Sequence, residues 1–387
     1  MNRKKVLIIC MFDSIHTAHW IERVKDLDVD YQIFPSKKHK RVHPRIRALL
    51  RQQKNVEIAT SLGKFPIAAH GYFDFLIEKL QKHLFRRNFR LGSLIKIVSD
   101  EHFDFIHALE IQGAGYLCGE INIPFRSQLI VTNWGSDIYF YKNDTIHVKK
   151  LQALLSKTDR YSAECIRDYK LARELGFRGV ELPVVPNSGG NYEIAPEMGF
   201  FKRDLVVVKT YGGLFGRGDL AIKAVNQLLN VNKSFDIFFY SVGKENLQAV
   251  EKLRAQFPSR IEFSTVSKTI PHDKLMNLFR QAKIYLGCSE SDGISTSFLE
   301  AISHGVYPIQ TNTSCADEWI TKGIRASLVP LDQQAISEEL IRVALNWTHY
   351  ENDTITNLRV AKKTLDPKAI EDKSKEFYLD QSPSNPA

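Results

Sequence analysis

Two carboxylates lie close together in a polar segment near residue 290. Asp292 follows an apolar run that predicts a strand, and Glu300 lies about one turn into the helical pattern that comes next. A carboxylate accepts two hydrogen bonds side by side, which matches a ribose diol or adjacent sugar hydroxyls. The same acids could instead cap a turn and face solvent from a helix, and their spacing alone leaves both interpretations open.

The start of that helix is suited to bind an anion. Ser295 or Thr296 is a natural N-cap, and Gly305 is a natural stop. The N–H groups of a helix start carry the positive end of the helix dipole, and Gly293 lets the backbone approach a ligand closely. Together these features suit a pyrophosphate.

A glycine-rich turn opens the second half of the chain. An apolar run from Val206 ends at Lys209, and Gly212, Gly213 and Gly216 precede a helical pattern. Such a turn can cradle phosphate, but a single glycine loop is also an ordinary strand-turn-helix corner.

Strand and helix patterns alternate along the chain, which predicts an α/β fold with parallel sheets. Several of the apolar runs are continuous, as expected for strands buried on both faces. The predicted strands are Val6–Cys10, Asn55–Ala59, Phe103–Ala108, Leu129–Thr132, Leu205–Lys209, Asp236–Val242, Ile261–Val266, Ile284–Cys288 and Tyr307–Gln310. The predicted helices include Thr17–Lys25, Ala163–Leu175, Asp219–Leu229, Asp273–Ala282, Ser297–Ser303 and Ile336–Trp347.

Turn residues between Val185 and Gly199 mark a domain boundary, after which the alternation starts afresh. We predict a first Rossmann-like domain over residues 1–195, a second over 196–365, and a C-terminal helix over 366–387 that packs back on the first domain and ends in a disordered tail. Ligands of such sheets bind beyond the carboxyl ends of the strands, so two domains facing across a cleft would enclose a site.

Composition excludes several classes of protein. The 387 residues are 43% hydrophobic and 25% charged, which is typical of globular domains. The five cysteines form no CxxC pair, so we expect neither disulfides nor a zinc site. Free cysteines are typical of a reducing compartment, so we expect a cytoplasmic location. No segment has the roughly 20 apolar residues that a membrane span needs, and the first apolar run is too short for a signal peptide.

The net charge of +9 is concentrated in two basic stretches, Lys37–Lys54 and Lys79–Lys96. Leu49, Leu50, Leu84, Phe85 and Phe89 lie among these charges, so an amphipathic helix resting on an anionic membrane is one interpretation. A solvated surface is the other. Nucleic acid is not expected, because no nucleic-acid motif accompanies the charge.

The segment from Ser289 to Ile320 resembles the signature of glycosyltransferase family 4, a retaining group with the GT-B fold. The similarity lies in Asp292-Gly-Ile-Ser, then Leu299-Glu-Ala-Ile-Ser-His-Gly-Val-Tyr-Pro-Ile309, then Thr313-Ser-Cys-Ala-Asp-Glu318, in the order and spacing of the family. The family usually has Glu where this chain has Asp292.

The resemblance implies roles for these residues. Glu300 would hold the ribose of a nucleotide, and Asp292 would contact the donor sugar. The backbone of Gly293, Ile294, Ser295 and Thr296 would bind sugar and phosphates, beside Gly213 of the glycine turn. Lys209 and Arg217 would neutralise the departing diphosphate. These are the residues of the predicted donor site.

Two loops of the first half also resemble the family. Ser14 and His16 follow the first strand, where the family has a glycine-rich loop near donor and acceptor. His107 lies in a loop that faces the acceptor in the family. Helix-start residues and a structural histidine are the alternatives. We expect no essential metal, because His16 and His19 lack a third ligand and the Asp-x-Asp in Asp26-Leu-Asp-Val-Asp30 fits a solvated turn.

The implied reaction transfers a sugar from a nucleoside diphosphate sugar to a hydroxyl of a glycan or lipid-linked acceptor, with retention at the anomeric carbon. Cell-surface polysaccharide or lipopolysaccharide biosynthesis and the inner face of the cell membrane are the expected setting. The alternatives are a nucleotide-sugar epimerase or hydrolase of the same fold, and a non-catalytic nucleotide-sugar-binding protein.

Overall fold

The computed structural model describes residues 3–39, 41–59, 89–186, 189–190, 192–197 and 203–379. The chain divides into two compact units. The first comprises Met1–Asn191 and Pro367–Ala387, and the second comprises Tyr192–Asp366. The division therefore falls at residues 191 and 192, where the sequence pattern predicts 195 and 196. The predicted disordered tail, residues 382–386, lies outside the described residues.

The first unit contains a seven-stranded sheet in the order β3-β2-β1-β4-β5-β6-β7, with parallel pairing throughout. Its strands are β1 (Lys4–Cys10), β2 (Val29–Pro35), β3 (Val56–Ile58), β4 (Phe105–Ala108), β5 (Gln128–Asn133), β6 (Arg160–Ala163) and β7 (Val180–Glu181). Val6 to Cys10 are all fully buried, because both faces of the central strand are covered.

The second unit contains a six-stranded parallel sheet in the order β10-β9-β8-β11-β12-β13. Its strands are β8 (Arg203–Lys209), β9 (Asp236–Val242), β10 (Ile261–Thr265), β11 (Ala282–Gly287), β12 (Tyr307–Thr311) and β13 (Ser327–Val329). Val206, Val208, Phe239 and Leu286 are at the centre of its core.

Helices connect the strands in both units. They are α1 (Ile15–Val24), α2 (Pro44–Gln52), α3 (Phe89–Asp100), α4 (Tyr116–Glu120), α5 (Thr145–Leu155), α6 (Ile166–Glu174), α7 (Gly218–Val231), α8 (Lys244–Gln256), α9 (His272–Gln281), α10 (Thr296–Ser303), α11 (Asp317–Thr321), α12 (Gln333–Leu345), α13 (Glu351–Thr364) and α14 (Pro367–Lys375). Among the residues described, no helix is both long and apolar enough to cross a bilayer.

The predicted parallel α/β architecture is confirmed, and all nine predicted strands are present, β9 with the predicted ends and the other eight with shifted ends. Four strands were not predicted, namely β2, β6, β7 and β13. The helix predicted from Ala163 begins at Ile166 instead, because Arg160–Ala163 pairs with β5 as a buried strand.

In both sheets the strand order reverses at the first strand, so that later strands are added on both of its sides. β1 lies between β2 and β4, and β8 lies between β9 and β11. The connections that leave these two neighbouring strands run to opposite sides, so a crevice opens at their carboxyl ends. The loops after β1, β4, β8 and β11 are therefore the places where a ligand site is expected.

The C-terminal segment from Pro367 packs against the first unit. Phe377 and Tyr378, in a short 3-10 turn after α14, are buried beside Trp20. The Trp20 indole N–H donates to the Tyr378 hydroxyl at 2.8 Å, and that hydroxyl lies 2.7 Å from His107 Nδ1. Arg160 donates to the carbonyl oxygen of Phe377 at 3.2 Å. Phe377 and Tyr378 thus complete the core of the first unit.

We expect Tyr378→Phe to destabilise the first unit by about 1–3 kcal/mol, because the buried nitrogens of Trp20 and His107 lose their shared hydroxyl partner. Urea unfolding followed by tryptophan fluorescence measures this loss. Tyr139→Phe, at a half-buried tyrosine of the same unit, is the matched control and should change stability by less than about 0.5 kcal/mol. Equal losses in the two variants would contradict the role of the Tyr378 hydroxyl.

Candidate functional site

In the second unit, the loops after β8 and β11 are held together by backbone hydrogen bonds. Gly216 and Ser289 form an antiparallel bridge. The Arg217 N–H donates to the carbonyl oxygen of Cys288 at 3.1 Å, and the Glu290 N–H donates to that of Phe215 at 2.8 Å. The glycine turn and the polar loop predicted from sequence therefore form one continuous surface at the point where the strand order reverses.

Glycine is required at two positions of this turn for different reasons. A Cβ atom on Gly216 would lie 2.3 Å from the carbonyl oxygen of Tyr211, which is backbone and cannot move aside. Gly213 has a φ of +75°, a conformation that side chains other than glycine rarely adopt. The glycines thus permit a tight turn. The sequence pattern alone could not distinguish this turn from an ordinary connection between a strand and a helix.

The loop after β12 supports the polar loop from its other side. Thr313 Oγ1 donates to the carbonyl oxygen of Ser289 at 2.5 Å, and the Asp292 N–H donates to that of Thr313 at 3.3 Å. The Cys315 N–H donates to the carbonyl oxygen of Gly293 at 2.7 Å. Because its carbonyl groups are bound on this side, the loop from Ser289 to Gly293 is held in one conformation.

The helix predicted to bind an anion begins where this loop ends. Ser295 is the N-cap of α10, with Thr296 as its first residue, and Ile294 is buried before it. Among the described residues, the Ser295 side chain makes no capping hydrogen bond to this helix. The first N–H groups of a helix have no partner within it, so those of α10 remain suited to ligand oxygens.

The two predicted carboxylates have different surroundings. Asp292 is half-buried near Tyr211; burial and then the negative charge of Asp292 raise the pKa of that tyrosine. Glu300 lies on α10, and its Oε1 is 2.8 Å from Nε2 of His272, the first residue of α9. The spacing of the acids did not indicate either neighbour.

The two predicted cations also differ. The Arg217 guanidinium binds both carboxylate oxygens of Asp219, at 3.0 and 3.1 Å, and Glu290 Oε1 at 2.7 Å. Lys209, at the end of β8, has its ammonium 4.7 Å from the centre of the Tyr211 ring. No carboxylate of the described residues forms an ion pair with Lys209. Its charge is therefore the less compensated of the two.

In the first unit, Ser14 and His16 follow β1 as predicted from sequence. The Ser14 hydroxyl caps α1 by accepting from the His16 N–H at 3.2 Å. The His16 ring lies 5.4 Å from that of Trp134, which follows β5. Trp134 is 9% exposed, and no described residue accepts a hydrogen bond from its indole nitrogen. A helix cap and an aromatic pair thus lie at the carboxyl edge of this sheet.

The prediction that His107 faces an acceptor is corrected by the structure. Its side chain is completely buried, and its Nε2 lies 2.7 Å from Thr132 Oγ1 while Nδ1 contacts Tyr378. Burial lowers the pKa of His107 to about 3, so the imidazole stays neutral. Both ring nitrogens are used within the core, which makes His107 a structural residue.

Two acids shape the same edge of the first sheet: Glu110, which lies in the predicted acceptor loop beside His107, and Asp137, which the sequence did not indicate. Glu110 accepts from the N–H groups of Gly113 and Ala114, both at 2.7 Å. Asp137 accepts from the N–H groups of Ile111 at 2.9 Å and Trp134 at 3.1 Å. Asp137 therefore ties the loop after β4 to the loop after β5. Burial, and then the charge of Glu110, raise the pKa of Asp137 to about 8.

Two family models match the chain. "Glycosyl transferases group 1" matches residues 214–346, and "Glycosyl transferase 4-like" matches residues 5–163. The first begins within the turn after β8, at Leu214, and includes all of α10; the second extends from Lys5 in β1 to the end of β6. No curated protein sequence matches the chain.

Solved structures of the same architecture cover nearly the whole chain. Sucrose-phosphate synthase from Thermosynechococcus elongatus is 13% identical, with a TM-score of 0.69 over 97% of this chain and 98% of its own. HepE from Anabaena, solved with UDP-glucose, is 14% identical, with a TM-score of 0.66 over 96% and 98%. TarM is 10% identical, with a TM-score of 0.72 over 98% and 99%. At these identities the likeness shows the fold.

The raised pKa of Asp137 predicts how stability depends on pH. Between about pH 4 and pH 8 the native carboxyl keeps a proton that the unfolded chain releases, so stability falls as pH rises. Asp137→Asn removes this dependence, since its amide oxygen can still accept from Ile111 and Trp134. From pH 5 to 8 we expect the free energy of unfolding of the variant to rise relative to that of the native protein, by at most about 1.4 kcal/mol per pH unit.

Urea unfolding at pH 5, 6, 7 and 8 measures the effect, and Asp13→Asn, at an exposed aspartate of the same unit, is the control. A stability difference between Asp137→Asn and the native protein that stays constant over this range would refute the assignment.

Proposed function

Since the chain is a glycosyltransferase of group 1 with the GT-B fold, we propose that it transfers a sugar from a nucleoside diphosphate sugar to a hydroxyl of a glycan or lipid-linked acceptor, with retention at the anomeric carbon. The donor would bind in the second unit. The retaining mechanism, the donor and the acceptor are parts of this proposal.

The observation that carries the proposal is the junction of the loops after β8 and β11. It brings a glycine turn, the start of α10 and Lys209 to the reversal point of one parallel sheet. Backbone N–H groups at a helix start bind phosphate oxygens, and a fixed lysine adds a full positive charge. A diphosphate is the ligand that this combination suits best.

Glu300 would bind the ribose of the donor nucleotide, and Asp292 the transferred sugar. A carboxylate accepts from two neighbouring hydroxyls, which is the pattern that a ribose diol presents. Glu300 lies one turn from the end of α10 at which the phosphates would bind. UDP-sugars are the first candidates, because the similar structure of HepE was solved with UDP-glucose and another with UDP.

Lys209 would stabilise the departing diphosphate, which gains negative charge as the bond to the sugar breaks. The leaving phosphate itself would take the proton of the acceptor hydroxyl, so the proposal requires no protein nucleophile and no essential metal. Correct placement of the two substrates would then supply most of the rate enhancement. Arg217 could join Lys209 only if ligand oxygens replaced part of its contact with Asp219 or Glu290.

The acceptor would contact the first unit, where His16 and Trp134 lie at the carboxyl edge of the sheet. Trp134 would stack on a sugar of the acceptor, whereas its indole N–H is buried away from the surface.

Peripheral attachment to an anionic membrane at the cytoplasmic face would rest on charge and on the half-buried Leu50 in the described part of the first basic stretch, whereas Leu84 and Phe85 lie outside the described residues. Ile46 and Leu49 of α2 are buried in the first unit, so their apolar side chains cannot insert into lipid.

We expect release of a nucleoside diphosphate from one donor in a panel of UDP-, GDP- and ADP-sugars, and Glu300→Ala should raise the donor KM by about tenfold or more. Coupled detection of the released nucleotide measures the rate, and NMR of the product gives its anomeric configuration. Glu251→Ala, at an exposed acid of the same unit, is the control. If no donor of the panel is bound and no nucleotide is released, the proposal is wrong. If a donor is turned over at a rate that no added acceptor increases, the epimerase or hydrolase is favoured instead.

We expect Lys209→Ala to lower kcat by about a hundredfold while the donor KM changes little, because leaving-group charge develops mainly in the transition state. Steady-state kinetics with the donor found in the panel measure this change. Lys223→Ala, at an exposed lysine of α7, is the matched control. A rise in KM with unchanged kcat would show that Lys209 contributes only to ground-state binding.

A further inference from the structure

His272 makes a contact with Glu300 that no sequence pattern suggested. The two residues are on different helices, α9 and α10, and His272 Nε2 lies 2.8 Å from Glu300 Oε1. The histidine side chain is 68% exposed, whereas that of Glu300 is only 13% exposed. The imidazole therefore shields the carboxylate from solvent on one side.

The rest of Glu300 is already held by the fold. Its carbonyl oxygen accepts from the His304 N–H at 3.2 Å and lies 2.9 Å from His304 Nδ1. The backbone position of Glu300 is thus set by α10 and His304, and the direction of its carboxylate depends on its side-chain torsions. The hydrogen bond from His272 restricts those torsions, which would otherwise lose freedom only when a ligand binds.

The contact leaves Glu300 able to bind a ligand. Each carboxylate oxygen has two lone-pair positions, so Oε1 can accept from His272 and from a hydroxyl at the same time, and Oε2 can accept from a second hydroxyl. A carboxylate held in this way is preorganised for a diol, because less conformational entropy is lost on binding.

We infer that His272 is a positioning residue of the donor site, which orients Glu300 toward the ribose diol of the nucleotide. The inference rests on the proposed function, in which Glu300 binds that ribose. It makes three statements that can be tested separately: that the effect is on donor binding, that it requires an N–H donor at the place of Nε2, and that it acts through Glu300.

The test compares His272→Ala, His272→Gln, Glu300→Ala and the double variant His272→Ala/Glu300→Ala. UDP binding is measured by calorimetry, with GDP and ADP in parallel, and donor kinetics follow. We expect His272→Ala to weaken nucleotide binding and to raise the donor KM by roughly three- to tenfold, with kcat changed less than twofold. His272→Gln should restore most of the affinity, because its amide nitrogen lies the same number of bonds from Cα as Nε2.

The double variant decides whether His272 acts through Glu300. A residue that only orients the carboxylate has no further effect once the carboxylate is gone, so the double variant should bind nucleotide like Glu300→Ala alone. Additive losses would overturn the positioning role and show that His272 touches the ligand itself. His349→Ala, at an exposed histidine of the same unit, controls for the loss of an imidazole, and equal urea midpoints of the variants would exclude misfolding.

The outcomes separate the inference from the proposed function. If Glu300→Ala weakens binding and His272→Ala does not, the inference is wrong and the proposed function stands. If neither substitution changes nucleotide binding, the assignment of Glu300 to the ribose is wrong as well. If the native protein binds none of UDP, GDP and ADP, the donor proposal fails and the inference fails with it.

Discussion

The antiparallel bridge between Gly216 and Ser289 is the interaction on which the second unit's site depends. Parallel strands all end at the same edge of a sheet, and the order of this sheet places β8 directly beside β11. The bridge converts that proximity into fixed geometry, because it joins the backbones of the two loops. A side chain at Gly216 would strike the backbone of its own turn, so the bridge in turn depends on glycine at that position.

Once these loops are joined, the neighbouring side chains have few positions left. The loop after β12 holds the polar loop through Thr313 and Cys315, and α10 begins at a position that is determined on both sides. Arg217 binds Asp219 of its own helix and Glu290 of the opposite loop, so it reinforces the same junction. Arg217, which the family resemblance assigns to the ligand, therefore has a structural partner on each side of the bridge.

The sequence predicted well what depends on local pattern. Continuous apolar runs identified the central strands, and the loop-to-helix segment at Asp292 and Glu300 identified the start of α10 as a candidate site. β2 and β13 were missed because their apolar residues are fewer or alternate with polar ones, and the last residue of β6, Ala163, was assigned to the start of a helix. The burial of His107 depends on Tyr378, which is distant in sequence but adjacent in space. The pair formed by His272 and Glu300 has the same origin, since no periodicity relates residues on two different helices.

Charge around the second unit's site is nearly balanced, which limits how it can attract an anion. Lys209 and Arg217 are positive, whereas Asp219, Glu290 and Asp292 lie in the same two loops or at the start of α7. The net charge of +9 therefore arises elsewhere in the chain and would act at most as a long-range field, screened beyond about 8–10 Å at physiological salt. If the site binds a diphosphate as proposed, discrimination in its favour would come from short-range, directed groups: the first N–H groups of α10, the glycine turn and Lys209, whose charge is less compensated than that of Arg217. Such groups select for the shape of a ligand as well as for its charge, which a diffuse positive surface cannot do.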